Sequence, residues 1–357
     1  VYNWKTRTTD GGAKQMQFVN NYYKMGPDTE NTILFSADNE TGGPRDQFAY
    51  VSGNLRENRN GSLTADALNV TYRATGLQPE LAWVDQPFFS SYALVETAQQ
   101  AFASVLSDVG ANQPFSDLTD ERILDETLNG TYHYVGSKSG IRGEIDSEDD
   151  AGGFEDYPTA QWPANYDSDL DGLPDWWEEL RGTNPRSRQL NYADTNRDSE
   201  GDGYTELERY LDFMAQPHVW MMPGSQVTVD LKQLFKGYPT VSQYTVQASN
   251  PDLSTLSAFA QTFSLPYHTD QDVLTLTAPD QSGIKDFTVS LDGGSIDMPS
   301  RRLCVAVTSN ATVVSGIAEQ HAVEQSHDNR FYDLLGRPVS QPAKGLYLRQ
   351  GRKVLVR

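Results

Sequence analysis

The sequence predicts a mainly β chain assembled from consecutive pieces, and three observations carry that expectation. Short apolar runs, each followed by Asn, recur between polar and Gly-rich loops over residues 1–80. An Asp-rich segment fills 167–215, and apolar residues alternate with polar ones through 219–309. The expected pieces are residues 1–160, 161–216, 217–309 and 310–357.

In the first piece, Val1-Tyr2-Asn3-Trp4, Met16 to Tyr23 and Phe48 to Asn54 read as three copies of one strand element. Stacked parallel strands with Asn aligned at the turns fit this pattern; an ordinary mixed sheet is the alternative. A helix is expected over 97–109, where Ala98, Ala101, Phe102, Val105 and Leu106 share one face and Gly110 ends the run. A second helix is expected over 119–129, with Ile123, Leu124 and Leu128 inward and Gly130 after it. Residues 140–166 are acidic and rich in Gly and Pro, and read as an extended linker.

Further on, Val227/Val229/Leu231, Tyr244/Val246, Leu274/Leu276 and Phe287/Val289/Leu291 alternate with polar residues, which predicts a β-sandwich. Residues 310–329 read as a polar linker. Short strands follow around Phe331-Tyr332, Gly345 to Leu348 and Lys353 to Val356.

Composition limits the functions available. The chain has 357 residues, 37% of them hydrophobic and 11% aromatic, enough for real cores in two to four domains. A formal net charge of −21 excludes nucleic acid as a partner, because phosphate neutralisation needs clustered Lys and Arg. An anionic sugar polymer stays compatible if a metal cation bridges the two. Most of these charges read as a solvated acidic surface. The single cysteine, Cys304, lies in the strand-like run Leu303 to Val307 and reads as a small buried apolar residue. No apolar run approaches a membrane span. The five histidines show no metal-ligand spacing, and neither a P-loop nor a Gly-x-Ser-x-Gly motif is present.

The motif with the clearest chemistry runs from Asp167 to Glu178. Asp167, Asp169 and Asp171 stand at positions one, three and five of a twelve-residue loop, with Gly172 at six where the chain must turn sharply. Leu173 offers its carbonyl at seven, Asp175 stands at nine, and Glu178 at twelve can bind bidentate. Such a loop supplies the six to eight oxygens that Ca²⁺ requires. An acidic solvated turn is the alternative. Leu173, Trp177 and Leu180 then lie on one helical face, ended by Gly182 and Asn184-Pro185.

A second loop is less regular. Asp198, Glu200, Asp202 and Glu206 occupy positions one, three, five and nine, Gly203 is at six and Tyr204 offers its carbonyl at seven, but Arg209 stands at twelve. Asp194 and Asn196 are further candidates for a second ion. Thr205 is expected to cap a helix with Leu207, Tyr210, Leu211 and Met214 inward. Paired loops of this kind resemble dockerin and thrombospondin type-3 modules, in which metal–oxygen bonds replace a hydrophobic core.

The N-terminal run carries a further resemblance. Val1 to Trp4, Asp10-Gly11-Gly12, Phe18 to Pro27, Tyr50 to Asn54, Trp83 to Phe88 and Val105 to Ala111 stand in the order found in bacterial pectate lyases. The similarity is to the first polysaccharide lyase family, in the branch of Bacteroidetes-type bacteria, and covers about residues 1–215. It implies a right-handed parallel β-helix whose C-terminal rungs, with packing helices, form residues 1–160. The calcium module, the β-sandwich and a small terminal β-domain follow. It implies β-elimination on polygalacturonate, in which Ca²⁺ neutralises the uronate carboxylate and an Arg acts as base.

The family's catalytic Arg and its calcium carboxylates precede the point matching Val1, so no catalytic residue is carried over. The chain alone is expected to be inactive and to pair with an N-terminal β-helix part of the same protein. Arg7 and Lys24 fall on matching rungs as candidate contacts to pectate or a related acidic polysaccharide; each also reads as a solvated surface cation. The stretch from Tyr332 through Val356 resembles the domain ending many secreted Bacteroidetes proteins, which in type IX export is a sorting signal. A secreted, cell-surface or periplasmic location is implied. The rival expectation is a noncatalytic calcium-dependent carbohydrate-binding or adhesive protein.

Overall fold

In a computed structural model of the chain, the apolar runs of residues 1–83 become nine short strands. They are β1 (Thr9–Gly11), β2 (Gln15–Val19), β3 (Tyr22–Lys24), β4 (Phe35–Asn39), β5 (Phe48–Ser52), β6 (Leu55–Glu57), β7 (Leu63–Ala65), β8 (Tyr72–Gly76) and β9 (Ala82–Trp83). The structure describes residues 1–11, 13–39, 48–76, 82–113, 116–154, 162–163, 165–240, 243–249, 265–291 and 299–310. It also describes strands at 331–332, 338–339, 345–349 and 352–356. The described residues form several small sheets and few helices, and they divide into two units.

Unit one holds Val1–Gly110, Asp117–Phe154 and Phe235–Gly237. Its strands lie in three sheets, ordered β1-β4-β8, β2-β5-β9 and β3-β6-β7, and every pairing is parallel except β6 with β7. The chain visits the three sheets in the same order twice, so that Gln15 faces Phe48 and Tyr22 faces Leu55. Stacked rings fill the space between: Phe18 and Phe35 lie 5.1 Å apart, and Tyr23 meets Trp4 edge-on at 5.5 Å.

The Asn residues sit at the corners. Asn54 is fully buried and accepts from both the backbone and side-chain nitrogens of Asn21, at 2.8 Å each. It donates to Phe18 O at 2.9 Å and to Asp66 Oδ2 at 3.0 Å, so no polar atom is stranded. Before each corner, Asn20 and Gly53 adopt left-handed φ of 54° and 74°. A Cβ on Gly53 would meet Asn20 Oδ1 at 1.9 Å, which explains the glycine. Val1 to Trp4 contribute only a parallel bridge from Tyr2 to Lys24, not the strand expected from their composition.

Two helices follow, α1 (Ala98–Ser107) and α2 (Leu118–Asn129). Thr97 and Gln100 form a reciprocal capping box on α1, and Gly130 ends α2 in the left-handed region. Their inward faces differ from expectation. Ala98, Ala103, Leu106 and Ser107 are buried on α1 while Val105 is exposed; on α2 Glu126 is buried and Ile123 is exposed. Val105 and Ile123 line a cavity of about 770 Å³ with Tyr2, Tyr22 and Phe102, so their apolar surfaces face an opening rather than a packed core.

Of the linker expected over 140–166, residues 140–154 are not open, while 155–161 and 164 lie outside the described residues. Arg142 pairs with Asp28 at 2.9 Å, and Asp146 accepts the amides of Lys138 and Ser139. The acidic residues therefore cap local turns, a use that composition does not reveal.

Unit two holds Ala111–Ser116, Glu155–Leu234 and Tyr238–Arg357. It contains α3 (Asp175–Arg181), α4 (Glu206–Ala215), β10 (His218–Met221), β11 (Gln226–Asp230), β12 (Tyr244–Ser249), β13 (Tyr267–Asp270), β14 (Val273–Thr277), β15 (Gly283–Leu291) and β16 (Ser300–Val307). One sheet is ordered β10-β16-β15-β12, with β10 parallel to β16; a second, antiparallel sheet is ordered β11-β14-β13. The expected alternation holds where Leu274, Leu276, Phe287, Val289 and Leu291 are buried. Strand β16, flanked on both edges, is buried continuously from Leu303 to Val307. Cys304 is buried and free, and burial with nearby Asp286 pushes its thiol up.

The terminal strands are β17 (Phe331–Tyr332), β18 (Pro338–Val339), β19 (Gly345–Arg349) and β20 (Arg352–Val356), in the order β18-β17-β19-β20. The linker expected at 310–329 lies, from residue 311 on, outside the described residues. Among the described residues, no helix is long and apolar enough to cross a membrane.

Candidate metal centre

The Asp-rich segment of unit two is folded over a cluster of aromatic residues. Helix α3 follows Pro174, an extended N-cap residue without a side-chain cap bond, and is ended by Gly182 in the left-handed region. That short helix turns Trp176 and Trp177 inward, where they pack with Leu173, Phe213, Trp220, Cys304 and Ala306. The segment and strands β10 and β16 thus share one core. Thr205 caps α4 as expected, in a box with Glu208, but the buried residues are Glu206 and Phe213, and Leu211 is exposed.

Oxygens of Asp167, Asp169 and Asp171 lie within 4.8 Å of one another. Gly172 provides the sharp turn with φ of 98°. Asp167 accepts the amides of Asp171 and Gly172 at 3.3 and 3.0 Å, and Asp171 accepts the Leu173 amide at 2.9 Å. Thr195, buried, donates to Asp171 Oδ2 at 2.8 Å and locks it in place. Asp175 is engaged by the Ser168 amide and hydroxyl at 2.7 and 2.6 Å, so it closes the loop. Leu173 is fully buried in the aromatic core.

The fit to a cation rests on what is left over. Both oxygens of Asp169 and Oε2 of Glu178 are buried without a hydrogen-bond partner. Glu178 Oε1 accepts from Thr183 Oγ1 at 3.1 Å. Burial, and then Asp171, Asp169 and Asp175, push Glu178 up to about 7. Burial, and then Asp171 and Asp167, raise Asp169; the nearby amides of Asp171 and Ser187 oppose that rise but lie outside hydrogen-bonding geometry. Buried carboxylates that repel one another and lack donors match a hard divalent cation with all-oxygen ligands.

The second loop brings together a different set. Asp198 accepts the amides of Gly201, Asp202 and Gly203 and is held low by them. Arg209 holds Asp202 low. Burial opposes ionisation of Glu206, but Arg181 and Ser199 lower it. Glu200 pairs with Arg181 and Arg209. Tyr204 is exposed, its amide donating to Asp202 at 3.0 Å, and Asn196 donates to backbone carbonyls of Asn191 and Tyr192.

Of the candidate sugar contacts, Arg7 is exposed and paired with Asp10 at 2.9 Å. Lys24 is not the solvated cation its composition suggests. It is only 9% exposed, donates to Leu128 O at 2.8 Å, lies 3.4 Å from Glu57 and sits over the Phe102 ring.

The Glu178 shift predicts a proton-linked affinity. If the first loop holds a cation through Glu178, binding displaces that proton, and affinity should rise about tenfold per pH unit between about pH 5 and 6 and level off above about 7. In the ion-free protein the sign reverses. The fold holds that proton more tightly than the unfolded chain, so this contribution is full below about 4.5 and lost as pH rises through about 7. Calorimetric calcium titrations across this range check both, and Glu178→Gln should flatten the pH profile.

No family model matches the chain, and no curated protein matches it. Among solved structures, the chain is similar to a nucleoside hydrolase-related hypothetical protein from Saccharophagus degradans that is associated with carbohydrate metabolism. The identity is 13%, over 27% of this chain and 23% of that one, with a TM-score of 0.19. The chain therefore spans less than a quarter of that protein's length, and a likeness this slight carries no argument.

Proposed function

We propose that residues 167–178 bind one calcium ion that stabilises the C-terminal part of an extracellular pectate lyase, and that this chain supports rather than performs the cleavage of polygalacturonate. The observation carrying the metal is the set of buried oxygens on Asp169 and Glu178 that have no hydrogen-bond partner. Bound calcium supplies the positive charge and oxygen coordination that these groups require.

The lyase reading draws on unit one. Its three sheets, parallel but for β6 with β7 and visited in repeated order, and the buried Asn21–Asn54 pairing support the C-terminal rungs of a parallel β-helix. In unit two the sheets β10-β16-β15-β12 and β11-β14-β13, with Leu274, Leu276, Phe287, Val289 and Leu291 buried, fit the β-sandwich reading. For catalysis, a metal-bound uronate and a base must converge on one proton. Among the described residues, the one group of acidic side chains close enough to hold an ion lies in the 167–171 loop of unit two. Lys24 is buried and Arg7 is ion-paired, which supports a noncatalytic role for this stretch.

The test is the chain with polygalacturonate and millimolar calcium, following absorbance of unsaturated product over hours. No product is expected. Robust lyase activity would place the active site within the chain. Retention on a polygalacturonate gel without product would favour the carbohydrate-binding alternative.

A further inference from the structure

The second acidic loop matches calcium spacing in sequence, yet its carboxylates face nitrogen. Arg181, from the end of α3, grips Glu206 with both arms of its guanidinium: Nε to Oε2 and Nη2 to Oε1, each at 2.9 Å. The same Nη2 reaches Glu200 Oε1 at 2.9 Å and Ser199 Oγ at 3.3 Å. Ser199 in turn hydrogen-bonds Glu206. Arg209, at the position where a calcium loop needs its bidentate Glu, places Nη1 3.1 Å from Glu200 Oε2 and donates Nη2 to Asp202 Oδ1.

We propose that Arg181 and Arg209 stand in the place of a divalent ion in the second loop, so that residues 198–206 take no metal and stay ordered without one. Two guanidiniums carry the charge of one divalent cation. The planar fork of Arg181 matches a carboxylate's two oxygens, a geometry that a spherical ion does not require. The side chains of Glu200 and Glu206 are only 2% and 1% exposed, so they must be paired to remain charged. With Arg181 already between them, an entering ion would first have to expel a buried cation. Asp198 meanwhile serves as a turn cap for three amides. The first loop offers the contrast: both oxygens of Asp169 and Oε2 of Glu178 meet no donor, whereas Glu200 Oε2, which accepts no hydrogen bond either, has the Arg209 guanidinium 3.1 Å away. The module is therefore built with one exchangeable ion and one covalently attached substitute. This assignment extends the calcium reading of the first loop but stands on separate contacts.

Hydrogen exchange on the full chain, with calcium and then with chelator, tests it without a substitution. Chelation should speed exchange at the amides of Asp171, Gly172 and Leu173, which donate to the first-loop carboxylates. The amides of Gly201, Gly203 and Tyr204, which donate to Asp198 and Asp202, should keep their rates. Calcium titration should give one ion per chain, and Asp198→Asn should leave that number unchanged. Arg181→Gln combined with Arg209→Glu should raise it to two. Two ions in the unsubstituted chain, or faster exchange at 201–204 on chelation, would overturn the proposal. No ion at all, with unchanged exchange at 201–204, would support it while refuting the first-loop reading.

Discussion

Replacing Trp176 by Ala should destabilise unit two by about 3–5 kcal/mol, the range for truncating a buried aromatic side chain. Trp176 has no exposed surface. Its ring meets Trp177 at 5.6 Å, Phe213 at 5.6 Å, Trp220 at 5.9 Å and Tyr210 at 6.2 Å, mostly edge-on. Removing it opens a cavity that four neighbours on three elements border, and close packing limits their collapse. Because Trp220, Cys304 and Ala306 belong to the same core, the loss should lower the unfolding midpoint of strands β10 and β16 together with α3. Denaturant unfolding followed by circular dichroism measures it. Trp176→Phe should cost less than Trp176→Ala. It keeps most of the ring and removes an indole N–H that is buried without a partner. Equal costs for the two variants would contradict this packing account.

Asp169→Asn should have effects of opposite sign with and without calcium. In the chelated protein Asp169 crowds Asp167 and Asp171, and neither of its oxygens has a partner. Neutralising it relieves repulsion, so the variant should melt above the parent chain. With calcium at about a hundredfold its dissociation constant, the parent gains about 2.7 kcal/mol of stability. The variant forfeits a charged ligand and that gain, and should melt below the parent. An acidic solvated turn would show no such reversal, since calcium would change neither protein.

The clustering of the first loop's carboxylates was legible in sequence from acidic residues at alternate positions ahead of a Gly. Asp167, Asp169 and Asp171 converge, and Gly172 adopts a φ that other residues avoid. Thr195, which holds Asp171 in place, lies far along the chain in a stretch with no pattern of its own. Arg181 was equally hidden, since its pairing with Glu206 spans 25 residues and depends on how two helices fold together. The visible trace was Arg209 at position twelve, a mismatch that becomes meaningful once the loop's carboxylates are seen paired.

In unit one, Asn at strand ends marked the corners that Asn21 and Asn54 occupy. The parallel pairing of β2 with β5 matched the expected repeat, whereas β1, β4 and β8 pair without any such pattern, because parallel partners are set by a long return path. Helical periodicity placed α1 and α2 within a residue or two, yet misjudged Val105 and Ile123. Periodicity reports a common face and not what that face meets, and here it meets an open cavity. Lys24 shows the same limit: its aliphatic stem and charge find partners on β6 and α2 that no local pattern announces.

The measurement closest to the central claim is a calorimetric calcium titration of the full chain at about pH 7.5, beside Asp169→Asn. The account predicts saturable binding of one ion per chain, lost in the variant, with a melting temperature that falls on chelation only in the parent. Absence of binding heat, together with identical melting in calcium and chelator, would contradict it.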